Sequence, residues 1–216
     1  TDSNKYYECI GRAIAAYERS AEVSQFTSKY DYWMKGQAKL TDQEKAGLAL
    51  FGGKANCANC HKSTADPASG KVLFTDFTYD NLGVPRNRLN PFYHEPDWNS
   101  AGKNWVDLGL GGFLQTAGYP YTAELGKHKV PTLRNVDKRP YPGFIKAYGH
   151  NGYFKSLEQI VHFYNTRDVP GAGWPQPEVA TNKNTAEMGN LGLKPGEERA
   201  IVAFLSTLSD GYMPGK

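Results

Sequence analysis

The 216-residue sequence predicts a mostly α-helical chain whose few short helices are joined by long ordered loops. Three observations predict it. Thr41-x-x-Glu44 and Ser156-x-x-Gln159 each precede an apolar run, the pattern in which N-cap and N3 side chains satisfy free backbone N–H groups. Ile201, Phe204, Leu205 and Leu208 fall on one helical stripe within Pro195 to Leu208. Between Ser63 and Lys127 the chain is rich in Gly, Pro, Asn and aromatics and holds no sustained period.

The elements follow in order. Asn4 to about Ser20 has helical periodicity, with Tyr6, Cys9, Ile10, Ala13 and Tyr17 on one face. On that face Cys9 is expected to be a buried thiol acting as a small hydrophobe, with an intermolecular disulfide as the alternative. Tyr30 to Lys39 is expected to be a connector, with Tyr32 and Trp33 packing on the core. Thr41 opens a helix through Leu48, Leu50 and Phe51, which Gly52 and Gly53 end. Ser156 opens another through Ile160, Val161 and Tyr164. Pro170 to Pro177 is a turn-rich loop. Pro195 starts the last helix, where Glu197 and Glu198 suit the positive end of the helix dipole. Residues 1–40 are expected to form an N-terminal helix and connector packing on a domain made of residues 41–216.

Composition excludes several roles. Twenty-five Lys and Arg against 22 Asp and Glu give a net charge of +3, which offers no case for nucleic acid. Mean hydropathy is −0.61, and the sequence holds no apolar run of the ~18 residues a membrane span needs.

The chemistry is carried by Cys57-Ala58-Asn59-Cys60-His61. Two thiols three positions apart, followed at once by an imidazole, form the attachment signature of c-type haem. Each thiol adds to one porphyrin vinyl, and the next residue can donate an imidazole nitrogen to the iron. One covalent haem c is therefore expected, tethered by Cys57 and Cys60 with His61 as axial ligand. A redox dithiol would need a thioredoxin-like βαβ context, and zinc would need two further ligands. A haem also explains the long loops, which need something to organise them. The fold class becomes a cytochrome c-like helical haem domain enlarged by long loops. Phe74, Phe77 and Leu82, just after the motif, are expected to line the haem pocket. Haem c attachment implies a periplasmic or otherwise exported protein. With no leader at Thr1, a mature or trimmed product is expected.

Three further stretches carry a resemblance. Lys129-Val130-Pro131-Thr132-Leu133-Arg134-Asn135-Val136, then His150-Asn151-Gly152, then Ser156-Leu157-Glu158-Gln159-Ile160-Val161 resemble the C-terminal haem domain of bacterial di-haem cytochrome c peroxidases and their MauG-like relatives. Ala203 to Leu208 fits as well. Ala15 to Ser20 resembles the helix that joins the two haem domains in that family. The resemblance places Pro131, Leu133 and Arg134 at the haem. Arg134 either pairs with propionates or bonds loop carbonyls. The family has two haem motifs and this chain has one. The family's calcium site is not expected, because Asp137-Lys138-Arg139-Pro140 and an insertion through Ala147 replace its usual segment.

The sixth ligand sets what the iron can do: Met raises the potential, and anionic Tyr lowers it. The resemblance implies a ligand twelve residues after Gly152, which is Tyr164. A buried Tyr bonding a propionate or carbonyl is the alternative role. His162 lies about 200° round a helix from Tyr164, so the two cannot share one face. Met188 is the other candidate, with core packing as its alternative, and an open site is a further possibility.

Two functions compete. One is a single-haem electron-transfer cytochrome with a redox partner protein. The other is a component of a peroxidase or MauG-like oxidoreductase that uses hydrogen peroxide and needs a second haem-bearing subunit or domain. A sensor or structural subunit is a third reading.

Overall fold

The computed structural model describes residues 2–215. Six α-helices run in the order α1 (Asp2–Glu18), α2 (Lys29–Met34), α3 (Asp42–Gly52), α4 (Gly109–Thr116), α5 (Leu157–Thr166) and α6 (Pro195–Ser206). Among the described residues the one sheet is two short antiparallel strands, β1 (Tyr79–Asp80) and β2 (His128–Lys129), pairing Tyr79 with Lys129 and Asp80 with His128. The mostly α fold class holds, and residues 63–127 are long ordered loops around one short helix, α4. No helix is long and apolar enough to cross a membrane among those residues.

The core forms where α3 crosses α6. The backbones meet so closely that a Cβ at Gly47 would run into the Ala200 carbonyl, so only glycine fits there. Phe51 and Phe204, one from each helix, lie 5.2 Å apart edge to face, and Phe74 and Tyr30 complete the cluster. These geometries suit aromatic quadrupoles. The expected α6 stripe of Ile201, Phe204, Leu205 and Leu208 is buried.

The capping signals act as read, with one difference. Thr41 and Glu44 form a reciprocal box at the start of α3. Ser156 Oγ accepts from Gln159 N, but Gln159 Oε1 reaches back to Lys155 N rather than to the cap residue. At the start of α2, Ser28 and Asp31 form a third box.

The connector packs as expected: Tyr30 is 4 % exposed and Trp33 lies against the core. The N-terminal helix does not. No residue of α1 is buried, and Tyr6, Tyr7, Ile10, Ile14 and Tyr17 are all more than half exposed. Cys9 is exposed rather than buried. The expectation of a helix packed on the haem domain is thus corrected for α1. Its periodicity makes an apolar face, but among the described residues nothing is brought against that face.

Candidate functional site

Behind the attachment motif lies a cavity of about 550 Å³, largely apolar and bounded by α3, α5, α6 and the loops between them. Cys57, Cys60, His61, Leu82, Pro131, Leu133, Tyr164 and Met188 all border it. Sequence positions up to 131 residues apart therefore meet at one space. The volume and apolar walls suit a large flat ligand.

His61 is held by its neighbours. Its Nδ1 lies 2.9 Å from the Phe74 carbonyl oxygen. A carbonyl only accepts, so Nδ1 carries the proton and Nε2 keeps its lone pair. Burial moves the His61 pKa below its ordinary value, partly offset by that bond, so the ring is neutral near pH 7. Phe74 sits at φ 52°, an uncommon conformation for an aromatic residue that costs about 1–3 kcal/mol. Its ring is fully buried in the aromatic cluster.

That arrangement corrects two expectations. Phe74 does not line the cavity: its ring lies in the core behind it, and it contributes a carbonyl instead. Phe77 does not line it either. It is 49 % exposed, under the Lys129 ammonium at 4.8 Å from its ring centroid. The alternation of exposed and buried positions in this loop follows its turns, for which the sequence carries no period.

Arg134 is held by protein groups. Its guanidinium binds both Asp31 carboxylate oxygens at 2.8 and 2.9 Å and donates to Ser28 Oγ and the Val72 carbonyl. The pair is buried, with side-chain exposures of 9 % and 11 %. Arg134 therefore borders the cavity and locks the connector to the loop below the attachment motif, and its bond to the Val72 carbonyl is the second of the two roles expected for it. Burial opposes ionisation of Asp31, yet the bonds from Arg134 and Ser28 outweigh it and hold the carboxyl below its ordinary value.

The thiols are not poised for redox work. Burial pushes Cys57 up to about 12; burial, with Glu187 and Asp80, pushes Cys60 up to about 11. Reactive dithiols show the opposite shift. Asp80 and Glu187 lie within 4.8 Å of the Cys60 sulfur and are steadied by the Asn184 amide.

Tyr164 is on the cavity face of α5. Its carbonyl accepts from Gly189 N at 2.7 Å, while its hydroxyl makes no hydrogen bond among the described residues. Burial first, then Cys57 and Cys60, raise its pKa, which keeps the phenol neutral. The buried Asn165 fixes this helix by bonding both N–H and carbonyl of Leu193. His162 points away, half exposed, with Nδ1 3.0 Å from a Glu198 oxygen. Met188 is 5 % exposed, in the core and at the cavity wall.

The sequence reading missed several cavity residues. Phe51, Ile160 and Leu205 supply apolar wall, and the signal was their helical periodicity. His128 and Lys146 also border it, and nothing local in the sequence marks them. His150, flagged through its motif, borders it too.

A covalent motif at the mouth of an apolar cavity, with a neutral imidazole inside, defines a cytochrome c-type haem-binding domain. Comparisons with known proteins extend this. No protein-family profile matches. The chain is 36 % identical to the methylamine utilization protein MauG of Paracoccus denitrificans over 97 % of its own length and 53 % of that protein. It is 31 % identical to the cytochrome-c peroxidase IdrP1 of Denitromonas iodatirespirans over 91 % of its length and 48 % of that protein. The diheme peroxidase BthA of Burkholderia thailandensis superposes with a TM-score of 0.72 at 31 % identity, covering 96 % of this chain and 52 % of that one. The chain belongs to the MauG-like di-haem cytochrome c peroxidase family, and it spans about half the length of the curated relatives it matches.

Proposed function

We propose that the chain is the electron-transferring haem c domain of a MauG-like oxidoreductase, acting with a second haem-bearing domain or subunit, or a redox partner protein, in the periplasm or another exported location. The observation that carries this reading is the cavity itself. Both tethering cysteines, an imidazole with a free Nε2 and a phenol with an unpaired hydroxyl border one apolar space. The fit is good: the donors are those haem iron takes, and the walls suit a porphyrin. Bound there, a haem supplies one-electron redox chemistry.

The chain's residues have separable tasks in this reading. Cys57 and Cys60 tether. His61, oriented by the Phe74 carbonyl, would hold the iron through Nε2, and that bond raises its basicity. Tyr164 would be the second protein ligand. Burial makes its ionisation costly, and a bound ferric ion would offset that cost. Apolar walls exclude water. A filled sixth site favours electron transfer over direct peroxide chemistry, so peroxide use would fall to the partner haem. MauG and IdrP1 relatives support the oxidoreductase class over a free-standing carrier.

Stopped-flow mixing of the haem-loaded chain tests this. Rapid oxidation and reduction by a small c-type cytochrome, with a ferric spectrum unmoved by hydrogen peroxide, is expected. A peroxide-driven spectral change in this chain alone would show an open sixth site and transfer the reactive role to this haem.

A further inference from the structure

The cavity has one feature that the proposed function leaves unused. His128, on β2, and His150, in the loop before α5, stack face to face with ring centroids 3.6 Å apart and planes 7° from parallel. Both border the haem cavity. Neither ring makes a hydrogen bond among the described residues. The nearest partner of His150 Nε2 is Glu178 Oε2 at 4.0 Å. Asp107 lies within 4.8 Å of both imidazoles.

Such a cluster invites a metal, but the stack opposes one. Imidazole lone pairs lie in the ring plane, and two parallel planes do not converge on a single ion. A proton fits better. Two stacked imidazoliums would repel, so the pair holds one proton at most near neutral pH. For His128, burial and then the neighbouring ring oppose a proton and lower its pKa to about 4, while Asp107 and Glu178 act the other way. Other charges facing the pair are already matched. Glu178 is 3.7 Å from Arg86 and accepts from Tyr93. Asp80, opposite His128 in the sheet, accepts from Asn184. Lys127 pairs with Glu124, Lys129 donates to the Val130 carbonyl over the Phe77 ring, and Lys146 donates to two carbonyls.

We propose that His128 and His150 form a one-proton site coupled to the haem, binding a proton from solvent when the haem gains an electron from a one-electron donor. The charge balance is simple: the electron lowers the positive charge at the haem by one, and the proton restores it on the cavity wall. This inference rests on the haem reading above. Absence of covalent haem, read by a pyridine haemochrome spectrum, would fail that reading without bearing on the pair.

The test uses the haem-loaded chain. Spectroelectrochemical titration gives the midpoint potential against pH. In the wild type the potential falls as pH rises through a bounded window, at most tenfold in the reduction equilibrium per pH unit, which is about 59 mV. His150→Gln narrows the window, and His128→Phe with His150→Phe removes it. The second measurement needs no variant: an indicator dye in weak buffer reads proton uptake on reduction of the wild type. A sizeable fraction of a proton per haem, maximal inside that window, is expected. No uptake, or an unchanged window in the double variant, would overturn the proposal. Tight zinc binding that the double variant loses would overturn it too, in favour of a metal site.

Discussion

Two walls of the haem cavity are built by different means. The wall carrying His61 is fixed by hydrogen bonds: Nδ1 to the Phe74 carbonyl, and Arg134 to Asp31, Ser28 and Val72. The wall carrying Tyr164 is a packed helix pinned to Leu193 through Asn165, and the Tyr164 hydroxyl itself makes no hydrogen bond among the described residues. Bonded walls orient a group before any cofactor arrives. A packed wall leaves the facing side chain free to set the chemistry. The difference teaches that changes on the first wall should cost folding or loading, while changes at Tyr164 should alter the haem and spare the fold.

The largest effect tests the tether itself. Cys57→Ser with Cys60→Ser should leave no haem bound after denaturation, read by protein mass; retained covalent haem would contradict the attachment. Next comes the bonded wall. Arg134→Met strands a buried Asp31 and should cost about 3–5 kcal/mol in urea unfolding. The sign of the pH effect follows from the depressed Asp31 carboxyl. Its contribution is present above the unfolded value near 3.9 and is lost as pH falls through the lower folded value. Arg134→Met should therefore flatten the acid limb of the stability profile. A loss below about 1 kcal/mol would show that the pair matters as little as an exposed one.

The packed wall should respond in the reverse way. Ser156→Ala removes the α5 cap and should cost about 1 kcal/mol, with a ferric spectrum that barely moves. A large spectral change from that substitution would mean the wall's position, rather than the identity of residue 164, governs the iron.

Much of this was legible in the sequence for physical reasons. The attachment motif is local, because two vinyls and one iron demand a fixed spacing. The capping boxes and the α6 stripe are local too. Tyr164 needed a resemblance, since a helical tyrosine has no spacing rule of its own. Phe74 and Phe77 were misplaced because loop turns leave no period, and the partner of Arg134 was unseen because a long-range ion pair leaves none either: Asp31 lies 103 positions away. The contrast of α1 with α6 makes the same point. Both carry an apolar face, but only that of α6 is covered. Periodicity specifies a face, not its partner. The stacked histidines were illegible because β-pairing and a distant loop bring them together.

The most direct measurement is the optical and EPR spectrum of the purified ferric chain beside its Tyr164→Phe variant. The account predicts a low-spin, six-coordinate wild type and a variant with changed ligand-field signals at unchanged haem content and nearly unchanged stability. Identical spectra for the two would contradict Tyr164 as the sixth ligand, and a matching change in Met188→Leu would move that role to the methionine.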